Sequence, residues 1–245
     1  MYIPTWKDTV AWARREPELI SQLKTGYPRF FVPLVVGQLA EQLLERTSSK
    51  SASDELPPEL RALLAEPGRS AMLLPASHHA RMCDEYLNAQ NKGQTFVLQA
   101  DFNKGVGFAK DLTKNCTLDK IYAVVYPQGL AVEAKAFWQH TGFGVSSRRA
   151  TYWLENAPFF NHTSRSYMNH LPDEEASESK LEVQKRIADL FSTDTNRLNV
   201  DDVFLYPSGM SSISHTAETI QHLNTTGKAT VAIFGYVDLE SGLGT

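Results

Sequence analysis

An α/β fold is predicted for this 245-residue chain, and three observations predict it. Between residues 71 and 140, runs of strand character alternate with runs of helical spacing. Residues 203–206, Val-Phe-Leu-Tyr, are apolar without alternation, as in a strand buried on both faces of a parallel sheet. Pro207 and Gly209 break that run. The next apolar residues, Met210, Ile213, Ala217, Ile220 and Leu223, then recur at intervals of three and four, the mark of one helix face.

Taken in order, residues 1–46 read as helical segments interrupted at Gly26-Tyr27-Pro28. Thr5 is placed to cap the first, and Pro33 to open the second, whose stripe is Leu34, Val35, Leu39, Leu43 and Leu44. Residues 47–58 are small and polar, with too little apolar surface to fold alone, and read as an exposed linker. A short helix over 59–65 ends at Pro67-Gly68. The alternating region has strands at 71–74, 95–98 and 121–126, and helices at 77–91 and 131–140. Gly142 and Gly144 do not make a dinucleotide fingerprint, because they lie behind a helix and position 147 is serine. Ser146-Ser147-Arg148-Arg149 reads as a solvated turn, although it can meet an anion. Ser179 and Glu182 have the spacing of a capping box for a helix to Phe191, with Leu181, Ile187, Ala188 and Phe191 on its buried side. After Gly227 a further apolar run, 230–234, would be a strand parallel to 203–206 if the intervening helix is a crossover.

Composition removes several classes of function. With 42% hydrophobic and 21% charged residues, the chain can bury one large or two modest cores. A net charge of −4 without a concentrated Lys/Arg run argues against nucleic acid as a partner. No apolar stretch approaches the ~20 residues that span a bilayer. The amino terminus lacks the basic-then-apolar build of a secretory signal, and the two cysteines, Cys83 and Cys116, form no CxxC pair, so a cytoplasmic location is expected. His79 and Cys83 are four apart and can share a helix face, but two ligands do not make a zinc site. No metal is expected.

The chemistry is concentrated at the corner between 206 and 212. The first N–H groups of a helix have no partner inside it and lie at the positive end of the peptide dipoles, so an anion is welcome there. Gly209 would let that anion approach the backbone, and Ser208, Ser211 and Ser212 can add hydroxyl donors. On local chemistry alone, the same corner also reads as an ordinary strand-to-helix turn.

Tyr206-Pro207-Ser208-Gly209-Met210-Ser211-Ser212-Ile213, preceded by Asp202-Val203-Phe204-Leu205, resembles the phosphate-binding turn of the Cys/Met-metabolism family of pyridoxal 5'-phosphate (PLP) enzymes. Lys24-Thr25-Gly26-Tyr27-Pro28-Arg29-Phe30-Phe31 and Phe137-Trp138-Gln139-His140-Thr141-Gly142 resemble landmarks of the amino-terminal extension of the fungal-type cystathionine gamma-synthases within that family. The resemblance covers most of the chain up to about Asp238. It implies an N-terminal α/β extension over 1–150, followed over 151–245 by the incomplete start of a PLP fold-type I, aspartate-aminotransferase-like large domain. It also implies that Gly209 and Met210 hold the cofactor phosphate and that Ser208 shapes the turn. Arg165, in Thr163-Ser164-Arg165-Ser166, matches the arginine of the family's Tyr-Ser-Arg segment, which reaches the phosphate of a neighbouring subunit. The tyrosine of that segment is replaced by Thr163 and the family asparagine is displaced to Asn169, so Arg165 also reads as an ordinary loop arginine. Tyr236 is placed to stack on the pyridine ring or to be simply a strand-end tyrosine.

The implied reaction is trans-sulfuration, the gamma-replacement of an activated homoserine ester by cysteine, with a small amino-acid substrate and a homo-oligomer if the enzyme is full length. The family's cofactor-bearing lysine stands well after the phosphate turn in a Ser-x-Thr-Lys setting. Beyond Met210 this chain has only Lys228, in Thr-Thr-Gly-Lys. Asp238 lies too near the turn to be the partner of the pyridine nitrogen. A truncated or misassembled product, inactive by itself and with no nameable catalytic base, is therefore expected. The alternative is a non-catalytic interaction or regulatory α/β module. A hydrolase using Ser208 or Ser211 is disfavoured, since there is no GxSxG elbow and His215 and His222 sit on the helix itself.

Overall fold

The structure is a computed structural model that describes residues 5–14, 16–22, 31–48, 57–90, 95–109, 112, 117–160, 173–224 and 227. The described elements are, in chain order, α1 (Trp6–Ala13), α2 (Pro17–Ile20), α3 (Leu34–Ser48), α4 (Pro58–Ala65), β1 (Arg69–Leu74), α5 (Ser77–Gln90), β2 (Phe96–Asp101), β3 (Gly105–Phe108) and β4 (Lys120–Pro127), then α6 (Ala131–Thr141), α7 (Ser147–Asn156), α8 (Asp173–Phe191) and α9 (Gly209–Leu223). The chain is mixed α/β. Arg165, Tyr236, the 230–234 run, Lys228, Gly26-Tyr27-Pro28, Arg29 and Cys116 all lie outside the described residues.

Among the described residues the strands form one antiparallel sheet in the order β1-β4-β2-β3. β4 is central because its apolar run is continuous, with Ile121, Ala123 and Val125 facing one layer and Tyr122, Val124 and Tyr126 the other. Ala123 pairs with Leu73 on one side and with Leu98 on the other. β1 and β2, joined through α5, therefore run in the same direction with β4 between them. β3 is paired to β2 through a tight hairpin, where the Asp101 carboxylate accepts the amides of Asn103 and Lys104 at 3.1 and 3.2 Å.

Each face of the sheet carries a helical layer. On one, Val36, Leu39, Ala40 and Leu43 of α3 and Ala150 and Trp153 of α7 close over Leu73, Phe96, Leu98 and Ile121. On the other, Ala80, Cys83 and Leu87 of α5 and Ala134, Phe137 and Trp138 of α6 close over Met72, Leu74, Val97 and Val124. Burying a Leu or Phe side chain stabilises a fold by about 1.5–3 kcal/mol, so these two layers supply most of what holds the unit together.

The predicted strands at 71–74, 95–98 and 121–126 and the helices at 77–91 and 131–140 are present with shifted ends. Thr5 caps α1, accepting the Asp8 amide at 3.1 Å. Other expectations are corrected. Thr47 and Ser48 close α3 and Pro58 opens α4, so the ends of the 47–58 linker are helical, and Thr47 is buried with its hydroxyl donating to the Leu43 carbonyl. Residues 147–156 form a full helix, because Ser146 caps it by accepting the Arg149 amide at 3.2 Å and Ala150 and Trp153 give it a buried stripe. Arg149 in turn spends its guanidinium on the carbonyls of Thr117, Leu118 and Lys120. α8 begins at Asp173, so Ser179 lies inside it and no capping box forms; Glu182 pairs instead with Arg186 at 2.9 Å. Of its expected buried side only Ile187 and Ala188 are covered, while Leu181 and Phe191 are exposed.

The segment 203–206 is extended but is not a strand. A strand needs a neighbouring edge, and none stands beside it among the described residues. The Val203 carbonyl is taken by the Gln184 side-chain amide of α8 at 2.6 Å, Val203 is buried, and Phe204 is 74% exposed. The expected strand–turn–helix unit is thus an extended lead-in and a helix. That helix, α9, packs against α6.

Candidate functional site

α9 starts where its sequence says it should. Ser208 is its N-cap, extended at φ −151° and ψ 161°, and its hydroxyl oxygen accepts the Ser211 amide at 3.2 Å. The Ser212 amide donates to the Ser208 carbonyl at 3.1 Å. The amides of Gly209 and Met210 then remain at the mouth of the helix with no acceptor among the described residues. A Cβ placed on Gly209 would meet nothing within 4 Å, so open space lies beside that backbone. The corner therefore has two amides without acceptors among the described residues and open space beside Gly209, whereas Ser208 is occupied as a cap and Ser211 is buried. A phosphate monoester fits the donors present.

The side wall of this corner is the end of α6. Gly142 caps α6 in the left-handed region at φ +67°, and its amide donates to the Trp138 carbonyl at 2.9 Å. The Ser208 hydroxyl donates to the Gly142 carbonyl at 3.5 Å. A Cβ on Gly142 would stand 2.5 Å from Ser208 Oγ and 2.8 Å from the Ser211 nitrogen, so the approach of α9 depends on glycine here. This gives a structural reason for a glycine that the sequence presented at the end of the 137–142 landmark and in a rejected dinucleotide pattern.

Directly behind the corner three imidazoles converge. His78 and His79 come from the first turn of α5, and His215 from the second turn of α9. Ring centroids of His78 and His79 are 3.9 Å apart, and those of His79 and His215 are 5.2 Å apart. Phe143 stacks on His79 at 3.8 Å, and Tyr206 stacks on His215 at 4.7 Å. Burial first, then the neighbouring His78 and His215, push the His79 imidazole down to about 3. His78 is lowered too, by burial and by His215, with Glu218 opposing. Both are neutral at pH 7. His215 Nδ1 lies 3.3 Å from Glu218 Oε2. Cys83, the partner that spacing offered to His79, is instead buried in the sheet layer. Sequence spacing could not bring in His215, which stands more than a hundred residues away; the alignment of two helix starts does.

Of the residues expected to bind cofactor, the structure thus brings Ser208, Gly209 and Met210 together at one helix start. A mixed α/β unit with a helix start whose first two amides have no acceptor among the described residues is what this arrangement defines. Residues 35–146 match the model of the family described as the fungal trans-sulfuration enzyme, N-terminal domain. That match covers a little under half of the chain, which is similar there to the N-terminal domain of the fungal trans-sulfuration enzymes. Over 89% of its length the chain is 28% identical to an alanine racemase of Aspergillus violaceofuscus, covering 40% of that protein. Over 96% of its length it is 26% identical to a cystathionine gamma-synthase-like enzyme of Amanita muscaria, covering 44% of it. Over 62% of its length it is 31% identical to a cystathionine gamma-synthase of Saccharomyces cerevisiae, covering 21% of it. The chain spans less than half the length of these curated relatives. No solved structure matches it. Among the described residues no helix is long and apolar enough to cross a membrane.

Proposed function

We propose that this chain is the extension and phosphate-holding opening of a cystathionine gamma-synthase-like, PLP-dependent transferase of trans-sulfuration. The observation that carries the reading is the mouth of α9, where Gly209 and Met210 present amides with no acceptor among the described residues, beside open space, in the sequence Tyr-Pro-Ser-Gly-Met. Those two amides would take the phosphate of the cofactor, at the favourable end of the helix dipole. Ser208 holds the turn in shape, and Arg165 is proposed as a cross-subunit phosphate contact and Tyr236 as a ring-stacking residue. PLP bound there supplies an electron sink for chemistry at the α-carbon of an amino acid. The relatives that align over most of the chain are named an alanine racemase and a cystathionine gamma-synthase-like enzyme, so an amino-acid substrate is supported more broadly than gamma-replacement itself. The division near residue 150, the fold-type I assignment of residues 151–245 and a cytoplasmic homo-oligomer belong to the same proposal. No lysine of this chain stands in a Ser-x-Thr-Lys setting, so the chain alone is proposed to bind the cofactor without turning over substrate.

The test is Gly209→Pro. Proline is tolerated at the first helical position, and the residue before it must be extended, as Ser208 already is at ψ 161°. The variant removes one amide donor and leaves the helix intact. Binding of PLP, read by its absorbance change and by the amide shifts of residues 209–212, should weaken at least tenfold with the melting temperature unchanged. Equal binding by both proteins, or none by the unsubstituted chain, defeats the reading.

A further inference from the structure

We propose that His78, His79 and His215 form a binding site for a divalent transition metal of the zinc class, assembled where α9 docks beside α5. Each histidine offers one ligand atom, and all three lie within 4.8 Å of one another. Three atoms so placed always share a point no more than about 2.8 Å from each, against the ~2.0–2.1 Å of a zinc–imidazole bond. Closing that gap takes less than an ångström of movement, and His78 and His215 are only partly buried. The rotamers of two side chains suffice.

A second observation points to a ligand independently. His79 is 7% exposed, and neither of its ring nitrogens has a hydrogen-bond partner among the described residues. A buried imidazole left without partners is costly, and an ion accepting its lone pair removes that cost at one nitrogen. The Glu218 carboxylate sits 3.3 Å from His215 Nδ1, the arrangement in which a ligating histidine donates its far N–H to a carboxylate. That pairing leaves His215 Nε2 as the nitrogen with a free lone pair. An all-imidazole set without thiolate favours zinc, cobalt, nickel or copper(II) over the hard oxygen-seeking cations. Water would take the remaining position.

The ion would join α5, within the family-matched 35–146, to α9, outside it, and so fasten the phosphate corner to the extension. The site does not depend on the cofactor reading, because none of its ligands is among the corner's donors.

The experiment uses the full chain, stripped of metal by a chelator. Cobalt(II) is titrated to look for the d–d absorption of a four- or five-coordinate ion, and zinc affinity is measured by competition with a chromophoric chelator. One ion per chain is expected, with a melting temperature that rises as zinc is added. His215→Gln should weaken zinc at least tenfold and abolish the thermal response, with the circular dichroism spectrum unchanged. Glu218→Gln, which alters no ligand, should weaken it by about 10–100-fold. His222→Gln, on the same helix and outside the cluster, should leave it unchanged. Should His215→Gln fail to fold, Glu218→Gln decides alone. Zinc held no more tightly by the unsubstituted chain than by His215→Gln or Glu218→Gln overturns the proposal.

Discussion

Gly142 and Ser208 meet where α6 ends and α9 begins, and a single methyl group on Gly142 would stand 2.5 Å from the Ser208 hydroxyl oxygen. The same methyl would lie 2.8 Å from the backbone nitrogen of Ser211, which cannot swing aside as a side chain can. Gly142→Ala therefore carries two penalties, a left-handed backbone at φ +67° and a clash with the docked helix. A loss of about 2 kcal/mol is expected, read as a lower urea midpoint and faster proteolysis between α8 and α9. Ser208→Ala, which removes only the cap, should cost about 1 kcal/mol, and Ser208→Gly a few tenths. An unchanged midpoint in Gly142→Ala would mean that α9 does not rest on this glycine.

The central layer was legible because its signals are local. The unbroken apolar run Ile121 to Tyr126 reads as a strand, and it is β4, flanked by β1 and β2 and covered on both faces. What stayed hidden has identifiable causes. In β3, Gly-Val-Gly-Phe, two glycines dilute the strand signal, and pairing with β2 does what propensity does not. In α7 the opening Ser-Arg-Arg reads as a turn, and only the structure shows Ala150 and Trp153 in the core, Arg148 exposed and Arg149 turned to the carbonyls of Thr117, Leu118 and Lys120. The run 203–206 is not a strand, and among the described residues no sheet edge stands beside it to receive its apolar side chains. At the candidate site, the cap and the open amides followed from Ser208 and Gly209. The histidine cluster did not, since no local pattern foretells that two helices distant in sequence begin side by side.

Acid should loosen the packing of α9 in metal-free protein. His79 is held at about 3 in the folded chain against an ordinary 6.5, so the unfolded chain binds more protons between these values. Stability is therefore complete above about pH 6.5 and falls as pH drops toward 3, by up to about 1.4 kcal/mol per unit for this one group. His78 adds to the effect with the same sign. The groups facing the two rings are His215, Glu218 and Arg81, and of these only Glu218 opposes the shift of His78. Urea midpoints at pH 7, 6 and 5 should fall steadily, and fall less in His79→Gln. A midpoint independent of pH over that range would contradict the burial of a neutral imidazole.

Arg149 should resist conservative replacement. Its guanidinium donates to three carbonyls, those of Thr117 at 3.1 Å, Leu118 at 3.0 Å and Lys120, and so fixes the loop that leads into β4. All three bonds leave from one nitrogen, Nη2, at the end of the arginine side chain, and the shorter lysine stem does not bring its ammonium to the same point. Arg149→Lys is expected to cost about 2 kcal/mol, in the range of hydrogen bonds to charged groups, and to raise amide exchange at residues 117–120. Stability within a few tenths of a kcal/mol of the unsubstituted chain would show that these bonds are dispensable.

Cys83 should be chemically silent until the layer between α5 and the sheet opens. Its side chain is fully buried among Ala80, Leu87 and the β4 face, and burial, with Asp84 beside it, pushes the thiol far above its ordinary range. The thiolate is the reactive species, so both access and ionisation oppose modification. Iodoacetamide at pH 8, followed by mapping of the Cys83 peptide by mass spectrometry, should show labelling only as fast as the protein unfolds, accelerating with urea. The Gly142→Ala variant, whose urea midpoint is lowered, should label faster in proportion to its loss of stability. Rapid labelling in the native chain would place Cys83 at the surface and disprove the packing of that layer.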